Sequence, residues 1–164
     1  MRLTRGFEAW TQGINARRDD NRIRQFVRAI EAVVKPEIGK TRKQFIQRAQ
    51  LFVGSTESSR KMLGEIYDLR SCAEHLNDVR SYYIDEPMSE IDSRTALRVF
   101  QAELITDHVY HRIFETGEFQ RMFIDDSSID SFWNKSEQER RNLWGEPATL
   151  DSDVARYFYP FGGS

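Results

Sequence analysis

Apolar residues return every three or four positions along most of this chain and alternate at every second position almost nowhere, so the pattern predicts helices rather than strands. The clearest stripe is Ile23, Phe26, Val27, Ile30, Val33 and Val34, opened by Asp19 or Asp20 as a cap and stopped by Pro36. An N-terminal piece is set apart before it, around Phe7 to Ile14, without being counted among the helices. After Pro36, Thr41 is a plausible cap for a helix that turns Phe45, Ile46, Ala49, Phe52 and Val53 inward and stops at Gly54. Ser55 or Thr56 then caps a third long helix carrying Met62, Leu63, Ile66, Tyr67 and Leu69.

The segment VRSYYIDEPMSE reads as a connection, and Asp92 or Ser93 opens a fourth helix through TALRVFQAELITDHVYHRIFE, closed at Gly117. Apolar residues wrap widely around that helix, as expected of one packed on more than one side. A short fifth helix, KSEQERRNLWG, has Ser136 and Glu139 at capping-box spacing and Gly145 at its stop. In the tail, Tyr157, Phe158, Tyr159 and Phe161 are expected to lie as a strap of rings across the bundle, with a partner-binding or base-stacking surface as the alternative. The expectation is an all-α bundle of about five helices.

Composition agrees with a folded chain and narrows its chemistry. The 164 residues suit one domain spanning 1–164, and with 39% hydrophobic residues, 11 Phe, 6 Tyr and 3 Trp the chain is too apolar and aromatic for a disordered one. A single cysteine, Cys72, rules out an intrachain disulfide and fits a reducing, cytoplasmic setting. No apolar run is long enough to suggest a membrane span or a secretory leader. The net charge of −2 hides a division: residues 1–48 hold 12 Lys or Arg against 5 Asp or Glu, whereas residues 49–164 hold 12 against 21. The basic front can serve as a phosphate-binding face, or the two halves can neutralise each other on packing.

The richest candidate chemistry lies in EIYDLRSCAEH, residues 65–75. Arg70 offers a permanent cation with a rigid fork of donors, suited to gripping a phosphate, and His75 can move a proton near neutral pH. Together they have what metal-free RNA cleavage requires: a base for the ribose 2′-hydroxyl and a cation for the phosphorane formed when that hydroxyl attacks its neighbouring phosphate. DNA, lacking the hydroxyl, is not a substrate for this reaction. Five residues at about 100° each, however, set the two side chains about 140° apart around a straight helix. Either the helix unwinds near EHLND or a second chain completes the site. A structural account competes: Arg70 pairs with Glu74, Asp68 or a neighbouring helix, and His75 sits at a helix end near its dipole.

Other candidates are weaker. His108 and His111, with Asp107 and Glu115 nearby, lie on one helix but lack a ligand from elsewhere for zinc. Cys72 and His75 share i,i+3 spacing, yet a lone cysteine is more often a small buried hydrophobe than a nucleophile. No Gly-rich phosphate loop, Walker motif, Gly-x-Ser-x-Gly elbow or Cys-x-x-Cys pair occurs, and neither a cofactor nor a metal is expected.

The run EIYDLRSCAEH, preceded by RIRQFVRAIEAVVKPEIGKTRKQFIQRAQLFVG, resembles the HEPN superfamily and in particular its Apea-like branch. The resemblance covers about residues 20–80. It implies an all-α HEPN-like bundle, commonly a two-fold homodimer with the motif at the dimer cleft, and membership of a group with many metal-independent ribonucleases and some members that only bind RNA or a nucleotide. Carried over, Arg70 is the phosphate contact and His75 the acid or base, supported by Asp68, Ser71 and Glu74. Apea-like segments are often C-terminal parts of larger chains, and this one is read in the same way as a possible piece of a longer protein. Two functions follow: an endoribonuclease using the Arg-x4-His motif, or a non-catalytic dimerisation module holding a protein, RNA or nucleotide. The motif in its helical context and the basic first half make the ribonuclease the leading expectation; Ser71, where active members usually carry Asn, Asp or His, together with Glu74 and the acidic second half, counts toward the alternative.

Overall fold

The computed structural model describes residues 1–75, 82–83 and 87–150. All eight regular elements among them are helices: α1 (Arg2–Asn15), α2 (Asp19–Val34), α3 (Thr41–Val53), α4 (Glu57–Glu74), α5 (Met88–Glu115), α6 (Gly117–Phe123), α7 (Asp126–Trp133) and α8 (Glu137–Trp144). The aromatic tail lies outside the described residues, as do parts of the connection before α5.

The α2 stripe was legible because α2 is central. Phe26, Val27, Ala29, Ile30, Val33 and Val34 are fully buried, and the helix packs against α1, α3, α4, α5 and α7. Its end differs slightly from a simple proline stop: Lys35 takes a left-handed conformation with φ 45°, and its N–H bonds back to Glu31 O. On the other side, α5 buries Val99, Ala102, Ile105, Val109, Tyr110 and Ile113. Its wide apolar surface is explained by contacts with α1, α2, α3, α4 and α6.

Among the described residues eight helices stand where about five were expected, for identifiable reasons. The piece around Phe7–Ile14 is part of a full 14-residue helix, since Gly6 and Gly13 serve close packing rather than termination. A Cβ at Gly6 would stand 1.9 Å from the Tyr110 hydroxyl, and one at Gly13 would stand 2.6 Å from the Phe26 ring. Gly117 does not close the long helix either. Thr116 ends α5 and its hydroxyl accepts from Phe119 N–H to start α6, so one residue divides two helices. Asp125 then caps α7 through Ser128 N–H. At its other end α5 begins at Met88 after Pro87 rather than at Asp92 or Ser93.

The anticipated caps of α4 and α8 are present. Thr56 and Ser59 form a reciprocal box, as do Ser136 and Glu139. α8 and the residues after it pack against α3: Trp144 is fully buried against Phe52, Phe119 and Phe123, and Ala148 N–H bonds to Phe52 O. Trp133 donates from Nε1 to Val33 O and lies under the guanidinium groups of Arg48 and Arg140. No helix among the described residues is long and apolar enough to cross a membrane.

Candidate functional site around the Arg-x4-His helix

Helix α4 stays regular through the motif. It runs to Glu74, and His75 is its C-cap with its N–H bonded to Ser71 O at 3.2 Å. The helix therefore does not unwind between Arg70 and His75, and the angle of about 140° between the two positions holds; residues 76–78 of the EHLND run lie outside the described residues. Within one chain they diverge. Arg70 points toward α2, while His75 is exposed at the helix end.

Arg70 is heavily engaged. Its Nη2 donates to Glu31 Oε2 at 3.1 Å, its Nη1 lies 3.0 Å from Glu74 Oε2, and its guanidinium carbon sits 5.5 Å from the centre of the Tyr67 ring. Only 18% of the side chain is exposed, and the Arg70 Nε is buried without an acceptor. Glu31 shares this burial, which raises its carboxyl above the usual range. Arg70 works in the opposite direction, and Glu74 adds to the rise. Two carboxylates thus meet one guanidinium.

Asp68 faces elsewhere, toward α3. It accepts a two-pronged grip from Arg42, Nε to Oδ1 at 2.8 Å and Nη2 to Oδ2 at 2.7 Å, and a further bond from the Tyr82 hydroxyl at 3.1 Å. Those bonds raise Arg42 further above its ordinary value. The Tyr82 phenol is pushed up to about 12 by burial and by Asp68. Gly64 makes the contact geometrically available, because Arg42 Nη2 passes 3.1 Å from where a Cβ would be. Ser71 and Cys72 are half-buried on the same helix. Burial, reinforced by Asp68, raises the Cys72 thiol, which is the wrong direction for a nucleophilic thiolate.

The structure thus brings together Arg70 and Glu74 but separates them from Asp68 and directs His75 away from Arg70. The partner that sequence reasoning missed is Glu31. Its signal was present in the helix AIEAVV, where a charged residue interrupts an otherwise apolar stretch. A second missed carboxylate is Glu65, 7% exposed as a side chain, whose two oxygens are held by Arg94 and Arg98 of α5 at 2.8 Å each. Burial would raise Glu65, but the hydrogen bonds from the two arginines outweigh it and hold the carboxyl below its usual range. Here the signal was the i,i+4 pair of arginines on α5.

At the far end of α5, His111 lies 3.4 Å from Asp107, and burial together with Arg112 lowers His108. The His108 ring packs against Trp144. Among the described residues no group of three or more His, Cys, Asp or Glu is placed to hold a metal. Compared with family models, with curated proteins and with solved structures, the chain has no match.

Proposed function

We propose that this chain is a non-catalytic HEPN-like helical module that acts by association, with a second copy of itself and with a bound partner. The observation that carries the reading is the enclosure of Arg70 between Glu31 and Glu74. To grip a scissile phosphate, the guanidinium has to abandon both carboxylates, one of them buried, and breaking such a pair costs on the order of 3 kcal/mol. The regular helix adds to this, because it directs His75 away from the same point. Arg70 then serves the bundle by tying α4 to α2. Association has an available surface in Phe7, Ile14 and Phe114, which remain exposed on α1 and α5. The free Cys72 thiol fits the reducing, cytoplasmic setting that this reading carries with it.

The endoribonuclease reading keeps one observation in its favour: His75 is exposed at the end of α4, where a second chain can approach it. In that reading a two-fold pair supplies the arginine that the same chain does not. One experiment separates the two. Sedimentation of the wild type over a concentration series is combined with incubation of single-stranded RNA in EDTA. The module reading expects reversible self-association and intact RNA. Cleavage by the wild type that disappears in both Arg70→Gln and His75→Ala overturns it in favour of the ribonuclease, and a strictly monomeric protein removes the association.

A further inference from the structure

A surface groove of about 1040 Å³ lies between the N-terminal turn of α3 and the first half of α4, away from Arg70. Its rim carries Lys40, Arg42, Lys43, Arg60 and Lys61, against two carboxylates, Glu57 and Glu65. Arg42 is held by Asp68, and the other opposing charges leave the rim with a positive excess centred on Lys43 and Lys61. Glu65 is buried and spent on Arg94 and Arg98, and the contact of Glu57 with Arg60 is a loose, exposed one at 3.6 Å. Lys43 and Lys61 are exposed, and Lys40 and Arg60 are 66% and 62% exposed as side chains, Lys40 in an exposed contact of its own with Glu37 at 3.2 Å. No acidic residue stands in the first turn of α3, so the end of its dipole adds to the positive field. Gly64 lines the groove, and the Arg42 guanidinium lies against it.

The groove also has a direction. Lys61, Gly64, Asp68 and His75 fall within a stripe about 60° wide along α4, so a chain lying in the groove and following the helix is led toward His75. Arg70 is not on that stripe. The neighbouring Arg48 and Arg140 do not extend the surface, since both donate to backbone carbonyls and cover Trp133.

We propose that this α3–α4 groove binds the phosphate backbone of a single-stranded nucleic acid, with Lys40, Lys43, Arg60 and Lys61 as the phosphate contacts. A row of separate, exposed cations along an open channel matches a charge that repeats along a strand. An acidic peptide presents carboxylates on alternating sides and is the chemistry this surface fits less well. The proposal names a partner for the module and rests on that reading only in expecting the strand to remain uncut. Binding uses none of Glu31, Arg70 or Glu74.

The test is fluorescence anisotropy of labelled RNA and DNA 12-mers of the same sequence, with a glutamate 12-mer as the third probe, each read over a salt series. Four phosphate contacts on a single strand predict a log–log salt slope of about −2.8, a loss of about 50-fold in affinity between 50 and 200 mM salt. Lys43→Gln with Lys61→Gln is expected to halve that slope and weaken binding at low salt by about tenfold or more. Arg17→Gln with Arg121→Gln, which removes the same charge from exposed positions outside the groove, is expected to leave binding within about twofold, since net charge acts only through its long-range field. Equal affinity for RNA and DNA supports a contact with phosphate alone, and a preference for RNA supports the same groove reading the 2′-hydroxyl as well. An equal loss from both variant pairs, or tighter binding of the glutamate probe, overturns the proposal. A gel of the recovered RNA separates this result from the module reading: bound but cut RNA sinks the non-catalytic claim and leaves the groove.

Discussion

The guanidinium of Arg70 is anchored to the Glu31 carboxylate, Nη2 to Oε2 at 3.1 Å, across the contact between α4 and α2. Both side chains are more than four-fifths buried. Removing one partner therefore leaves a desolvated charge, which costs far more than the intact pair contributes. Arg70→Gln is expected to lower the unfolding free energy by about 2 kcal/mol, read from the urea midpoint at constant m. Arg70→Lys is expected to recover less than half of that, because a point charge does not reach Glu31 and Glu74 together. In a double-mutant cycle, Glu31→Gln combined with Arg70→Gln is expected to be more stable than the sum of the two single losses. Additive losses sink the assigned pairing.

The two missed carboxylates predict opposite responses to pH. Glu65 is held low by Arg94 and Arg98, so its stabilisation is present above the ordinary carboxylate value of 4.5 and is lost as pH falls through its lowered value. Glu31 is raised by burial, so its protonated form stabilises the fold below 4.5, and that contribution is lost as pH rises through its raised value. The advantage of wild type over Glu65→Gln is thus expected to shrink between pH 6 and pH 3, on the order of 1 kcal/mol for each unit that the folded value lies below 4.5. Glu31→Gln is expected to do the reverse, gaining on the wild type as pH rises. Urea midpoints at a series of pH values check both, and parallel profiles for the two variants contradict the assignment.

Close approach of α1 to its neighbours predicts a steric lesion at Gly6. The Cβ of an alanine there meets Tyr110 Oη at 1.9 Å and Ala32 Cβ at 2.6 Å, and the second contact cannot swing away. Gly6→Ala is expected to destabilise by about 2 kcal/mol, even though alanine is the better helix former by about 1 kcal/mol. Adding Tyr110→Phe removes the nearer clash at the cost of the bond from the Tyr110 hydroxyl to Ala29 O. It is expected to restore part of the thermal midpoint. A stabilised Gly6→Ala shows that α1 does not pack this closely.

The same glycines explain what could and could not be read from the sequence. Stripes such as Ile23–Phe26–Val27–Ile30 carry their answer in the residue spacing, and the boxes at Thr56 and Ser136 are local, so α2, α4 and α8 were legible. Gly6, Gly13 and Gly117 look like breaks when taken singly. Only the presence of Tyr110, Phe26 and the Thr116 cap shows why the first two sit inside a helix and the third starts one. Candidate chemistry behaves in the same way. Arg70 with Glu74 is an i,i+4 pair and was foreseen, whereas Glu31 is 39 positions away in sequence and Arg42 is 26 positions from Asp68. Long-range pairs of this kind have no spacing to betray them.

Asp68 is the residue that restrains the groove, and its removal gives the most direct view of it. Both of its oxygens are taken by Arg42, and one also accepts from the Tyr82 hydroxyl. The Arg42 side chain is 53% exposed, so the ion pair is a partly screened one and its loss is expected to cost no more than about 1 kcal/mol. Asp68→Asn leaves the guanidinium free to meet a phosphate. One added contact steepens the salt slope for a single strand by about 0.7 and tightens binding at low salt by several-fold. The same substitution removes the charge that helps to push Tyr82 up to about 12, so its phenol is expected to titrate at a lower pH in an ultraviolet titration. A variant that shows the tyrosine shift without tighter binding places Arg42 outside the path of the strand. One that shows neither contradicts the Arg42–Asp68–Tyr82 cluster itself.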